Sequence, residues 1–102
     1  MKRPERLRII GKRYTVKWLD EVLDEEGKPL NGQADCDGLV IEMNNSLAID
    51  TEQDILLHEV LHAVEGQMGL DVEDTVIERL ATGLLAVLKD NPSLIRYLAA
   101  KK

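Results

Sequence analysis

The run Ile55-Leu56-Leu57-His58-Glu59-Val60-Leu61-His62-Ala63-Val64 is apolar except for an H-E-x-x-H written inside it. Its reading decides the fold. On an α-helix, residues four apart lie one turn above one another on the same face. Two imidazoles so placed suit one Zn²⁺, each at about 2.0–2.1 Å. Glu59 follows His58 by one residue, roughly 100° round the helix, where it reaches a metal-bound water without being a ligand. That is the pattern of metal-assisted hydrolysis: the metal acidifies the water and the carboxylate takes its proton. His58 and His62 are the only histidines in the chain. The competing reading is a buried helix whose histidines serve only as hydrogen-bonding core residues.

Around that helix, 102 residues suit one domain spanning 1–102, and 44% hydrophobic with 31% charged residues is a globular composition. The core must be aliphatic, because Phe is absent and there are one Trp and two Tyr. The single cysteine, Cys36, excludes an internal disulfide and fits a reducing compartment. No apolar stretch follows the basic start, and none reaches membrane-spanning length. A cytoplasmic protein, with no membrane partner, is expected. The net charge of −6 hides an asymmetry: residues 1–17 carry seven Lys or Arg against one Glu. Those charges alternate with apolar residues as strands do, so they read as the solvated face of a hairpin rather than a nucleic-acid arm. The acidic remainder makes nucleic acid an unfavourable partner.

Residues 6–10 and 14–19 read as strands joined by a turn at 11–13. Residues 20–37 form an acidic, glycine-punctuated connection, with room for one short strand or turn. Within it, Asp35, Cys36 and Asp37 read as turn residues and Cys36 as incidental. Residues 38–43 form a third strand, completing a small antiparallel sheet of about three strands. Thr51 is the expected N-cap of the motif helix, 52–67, with Glu52 and Asp54 in its first turn. Gly66 and Gly69 bracket its end. Asp71-Val72-Glu73-Asp74 opens a second helix in capping-box fashion, continuing to about residue 90. Its buried stripe should be Val76, Ile77, Leu80, Ala81, Leu84, Leu85 and Leu88. Pro92 starts a short last helix, 93–100, packed back through Leu94, Ile95 and Leu98. The fold class is α+β: a small sheet packed on a helical hairpin.

A catalytic zinc keeps three protein ligands. With no third His and Cys36 badly placed, the third is expected to be a carboxylate. For a helical hairpin turning near Gly69, the residue opposite the midpoint of His58 and His62 is Glu78. Asp74, one turn earlier, is its rival; Glu73 lies on the stripe but has a capping explanation.

His58-Glu59-Val60-Leu61-His62-Ala63, followed by a helix bearing Glu78, resembles the zincin metallopeptidases in their gluzincin arrangement. It is similar also to minimal zincin-like proteins of phages and prophages, in the stretches Leu80-Ala81-Thr82-Gly83-Leu84-Leu85 and Asp90-Asn91-Pro92. The resemblance covers about residues 38–95, and the H-E-x-x-H is its specific part. It implies a minimal zincin fold and a zinc-dependent metallopeptidase acting on a peptide or protein. His58, His62 and Glu78 (or Asp74) would bind one Zn²⁺, and Glu59 would be the general base. The strand at 38–43 would then be the edge that aligns an extended peptide. The chain departs from larger gluzincins in having no further His to stabilise the oxyanion; Tyr14 and Tyr97 are the stand-ins. The alternative is a non-catalytic, zinc-stabilised binding module for a protein partner. A metal-free, nucleic-acid-associated role rests only on residues 1–17.

Overall fold

In the computed structural model, which describes residues 2–101, β1 (Arg6–Ile9) and β2 (Lys12–Leu19) form an antiparallel hairpin. Its turn is the pair Ile10-Gly11, both left-handed (φ 49° and 75°), two residues rather than the expected three at 11–13. Left-handed pairs match the twist of the strands they join. The resulting register sets Leu7 opposite Tyr14 and Ile9 opposite Lys12, so Leu7 and Ile9 share the core-facing side with Tyr14 and Val16. Ile10 is left outside, 56% exposed.

The chain then makes a small hairpin of its own, β3 (Val22–Leu23) with β4 (Pro29–Leu30). Asp24 ties its loop by accepting the Glu26 and Lys28 amides, each at 2.8 Å. β5 (Gly32–Asp35) follows, and a turn stapled by Asp35 Oδ1, which accepts the Asp37 and Gly38 amides at 3.1 and 3.0 Å, leads into β6 (Val40–Asn44). The main sheet has four strands in the order β1-β2-β6-β5. It is mixed, not antiparallel: β6 runs parallel to β2, with Val16 beside Ile41 and Trp18 beside Met43, and antiparallel to β5. β6 is therefore interior, correcting the expectation that the third strand is an edge. The edges are β1 and β5. A strand with Ile41 and Met43 fully buried gains most from neighbours on both sides, and the small, polar β5 is suited to the rim.

The helix α1 (Ile49–Met68) lies across this sheet. Ile9, Tyr14, Val16, Ile41 and Met43 meet its Ala63 in the core, with Ile55, Leu56, Val60 and Val64 packed around them. α1 starts three residues before the expected point. Its N-cap is Ala48, with no side-chain cap, and Thr51 lies within the helix. The start is held instead by Arg3, whose Nε donates to Glu52 Oε1 at 2.9 Å and whose Nη2 donates to the Asn45 carbonyl at 2.8 Å. Arg3 also lies 4.8 Å from the centroid of Trp18, and Trp18 Nε1 donates to the Pro4 carbonyl. The helix ends at Gly69, left-handed at φ 67°, its amide directed to the Glu65 and Gly66 carbonyls, a glycine cap as expected.

α2 (Asp74–Asp90) begins after Glu73, whose side chain makes no cap bond, so the expected capping box does not form. The helix starts two residues later than a box on Asp71 requires, and the Val72 amide ahead of it donates to Glu65 Oε2 at 2.7 Å. α2 packs on α1 through Ile77 and Ala81, the two buried residues of its length. Val76, Leu80 and Leu84 stand 43%, 51% and 42% exposed; one neighbouring helix covers a narrower arc than the apolar stripe spans. α3 (Pro92–Ala99) has no buried residue. Leu94 is half-buried, while Ile95 and Leu98 are exposed, so the last helix leans on α2 and is not folded back on the core. The architecture is α+β, and no helix among the described residues is long and apolar enough to cross a membrane.

Candidate metal centre

α1 brings His58 and His62 onto one face, as their spacing requires. Their Nε2 atoms are 2.9 Å apart and their ring centroids 4.6 Å apart. Both are largely shielded, with side-chain exposures of 16% and 22%. Glu65 was not singled out from the sequence, yet it sets the orientation of His62. Its Oε1 lies 3.1 Å from His62 Nδ1 and its Oε2 accepts the Val72 amide. A carboxylate at Nδ1 assigns the proton to that nitrogen and leaves Nε2 as a lone pair. In the metal-free pair, His58 Nε2–H then donates to His62 Nε2. The signal for Glu65 was present in the i, i+3 spacing from His62. The Val72 amide and the Nδ1 contact hold the Glu65 carboxyl below its ordinary value.

Cys36 is not incidental. Its thiol donates weakly towards the His62 and Ala63 carbonyls, at 3.7 and 3.8 Å, and a Cβ on Gly66 would overlap it. Gly66 is thus the place where the β5–β6 turn approaches α1, rather than a mark of the helix end. Gln67 completes the clasp, donating to Tyr14 Oη at 2.7 Å and to the Cys36 carbonyl at 3.2 Å. Tyr14 is 1% exposed, committed to the core, with burial pushing its phenol up. Tyr97 is 79% exposed on α3.

Glu59 is 6% exposed, and burial raises its carboxyl to about 7, against a smaller opposing pull from His62. Its Oε2 lies 3.7 Å from His58 Nδ1. His58 is pushed below its ordinary value, by burial first and by His62 next; Glu78, Asp74 and Asp54 pull the other way. Both α2 carboxylates named from the sequence therefore act on the imidazole pair. Asp74 Oδ1 stands 3.8 Å from His62 Nε2, on a side chain 82% exposed. Glu78 is exposed one turn further on. Glu73 is the N-cap of α2, where its carbonyl receives the Val76 and Ile77 amides.

No family model, curated protein or solved structure matches this chain. Among the described residues, no three His, Cys, Asp or Glu side chains close on one point. The two imidazoles do converge, and across a tetrahedral zinc their nitrogens would stand roughly 3.3 Å apart, a few tenths of an ångström from where they are. The donor set of two imidazoles and one nearby carboxylate suits zinc. A depression of about 600 Å³ on the far side of the sheet, lined by Lys17, Gln33, Asp35 and Glu42 among others, is separate from it.

Proposed function

We propose that the chain is a zinc-dependent metallopeptidase of minimal zincin type. The observation that carries this reading is the convergence of His58 and His62 through Nε2 beside a buried Glu59 whose carboxyl titrates near neutrality. His58 and His62 would hold the metal, with Asp74 or Glu78 as the third ligand. Zinc bound there would supply Lewis acidity towards water and a scissile carbonyl. Glu59 would act as general base, its pKa of about 7 suited to taking a proton from water and returning it to the leaving amine. Glu65 keeps His62 in the tautomer that presents Nε2. β5, the free edge of the sheet beside α1, replaces the strand at 38–43 as the place where an extended peptide would add.

A second reading, a zinc-stabilised binding module without catalysis, is favoured by one observation. Tyr14, a stand-in for the oxyanion-stabilising group, is spent in the core on Gln67. Metal content and proteolysis of an unfolded protein substrate separate the two. The peptidase reading expects one zinc per chain, absent from His58→Ala, and cleavage that Glu59→Gln abolishes while keeping its metal. Zinc binding with no Glu59-dependent cleavage would leave the module. Failure to bind zinc would remove both. Asp74→Ala and Glu78→Ala, compared for zinc affinity, identify the third ligand as the one whose loss weakens binding.

A further inference from the structure

The second helix is unfinished in the isolated chain. Beside the narrow strip where Ile77 and Ala81 are buried, it carries Val76, Leu80, Leu84 and Val87 at 43%, 51%, 42% and 47% exposure, and α3 adds Ile95 and Leu98 at 45% and 66%. Six large aliphatic side chains left about half exposed present roughly 500 Å² of apolar surface between them. The extended shape agrees: the long axis is 45 Å and the radius of gyration 13.9 Å, against about 13 Å for a compact chain of this size. α3, eight residues with nothing buried, is too short to be stable by propensity alone and needs a surface to cover it.

What covers the face is indicated by its pattern. Val76, Leu80, Gly83 and Val87 follow one another at intervals of four, three and four, which is the a/d spacing of a helix–helix seam. Gly83 is the odd member. It sits in mid-helix, where glycine is the least favourable residue after proline, and a Cβ there would meet nothing within 4 Å of this chain. No close approach inside the molecule requires it. Reversed, however, the seam fits itself. Two copies of α2 laid antiparallel set Val76 opposite Val87 and Leu80 opposite Gly83, large against small at both inner positions. A two-fold axis generates both contacts at once.

We propose that this face is a homodimer interface, in which α2 helices from two copies pack antiparallel about an axis near residues 81 and 82 and each Leu80 lodges over the partner's Gly83. The roughly 500 Å² of apolar surface is more than half of the ~800 Å² per partner that a stable dimer buries. Asp74 and Glu78 lie away from the seam, towards α1, so the pairing steadies the helix that faces the imidazoles without covering them. The inference stands whether or not the site binds metal.

Sedimentation equilibrium of the full chain at about 100 μM should return a dimer mass. Leu80→Glu places a charge on the axis, and Gly83→Leu fills the hollow; each should weaken association at least tenfold. Gly83→Leu is the sharper variant because it raises helix propensity, so its monomer should melt no lower than the parent diluted until it dissociates. A monomeric parent at that concentration would overturn the proposal. So would a dimer indifferent to both substitutions, or a monomer that instead binds phosphatidylcholine vesicles through Leu80.

Discussion

Glu59 is a buried carboxyl whose charged form the fold disfavours. A carboxyl raised from its ordinary range to about 7 by burial binds its proton more tightly folded than unfolded. Its contribution is fully present below about pH 4.5 and is lost as pH rises through about 7. His58, depressed by burial, has the opposite sign: its contribution is lost as pH falls. The two must therefore be separated by difference. In chelator, Glu59→Gln should match the parent near pH 4 and exceed it by about 2–3 kcal/mol at pH 8; urea unfolding of both across that range is the measurement. Parallel curves would mean that Glu59 is hydrated in the folded state. Glu65 leads to a second expectation. Glu65→Gln keeps an acceptor for the Val72 amide but withdraws the negative charge from His62 Nδ1, so zinc affinity should fall about 10- to 100-fold in competition with a chromogenic chelator, with little change in fold. The H-E-x-x-H itself was readable because it depends only on helical period. Glu65 was overlooked because its role comes from two separate partners, one local and one seven residues away at Val72.

Among the elements, α1 was legible from its apolar run, α2 from its stripe and three strands of the main sheet from their composition, whereas the fourth strand and the parallel pairing were not. β5 reads Gly32-Gln33-Ala34-Asp35, a sequence with no β-branched or aromatic residue. It is a strand because β6 offers an unpaired ladder and because Gly32 lets Ile55 and Met43 approach to 3.0 Å of where a side chain would begin. Those are tertiary causes, invisible to local propensity. The parallel pairing of β2 and β6 is likewise a property of the crossover between them, which the sequence places only as a long loop. The clasp at Gly66 is the element-scale test. Gly66→Ala improves helix propensity by up to about 1 kcal/mol but sets a methyl group into the Cys36 thiol. The net effect in the parent should be destabilisation by about 1–3 kcal/mol, followed by thermal denaturation. In a Cys36→Gly background the same change should become neutral or stabilising. Additive effects of the two substitutions would show that the turn does not bear on the helix there. At the other end, Arg3→Met leaves Glu52, 6% exposed, without its cation and should cost about 1–3 kcal/mol.

At the scale of the whole molecule, α2 reaches the rest of the fold chiefly through α1. The sheet and α1 share a continuous core, while α2 is attached by Ile77, Ala81, the Val72–Glu65 bond and a Thr82 hydroxyl donating to Asp54 at 2.8 Å. A metal held by His58 and His62 on one side and by Asp74 or Glu78 on the other would clip the two bodies together. Binding to the native state alone contributes about 4 kcal/mol at a thousandfold excess over Kd, which for a domain of this length corresponds to a rise in Tm of roughly 15–30 °C. The rise should disappear in His58→Ala. Its distribution matters more than its size. Without metal, and in the Gly83→Leu monomer where no second copy covers the helix, α2 amides should exchange by local opening well below the global stability, because so little of the helix is buried within one chain. With zinc, their protection should rise towards that of α1. If zinc binds through His58 and His62 yet α2 exchanges as before, the third ligand does not come from α2, and both Asp74 and Glu78 fall together. If α2 closes and only one of Asp74→Ala and Glu78→Ala reopens it, the clip and its carboxylate are identified in the same experiment.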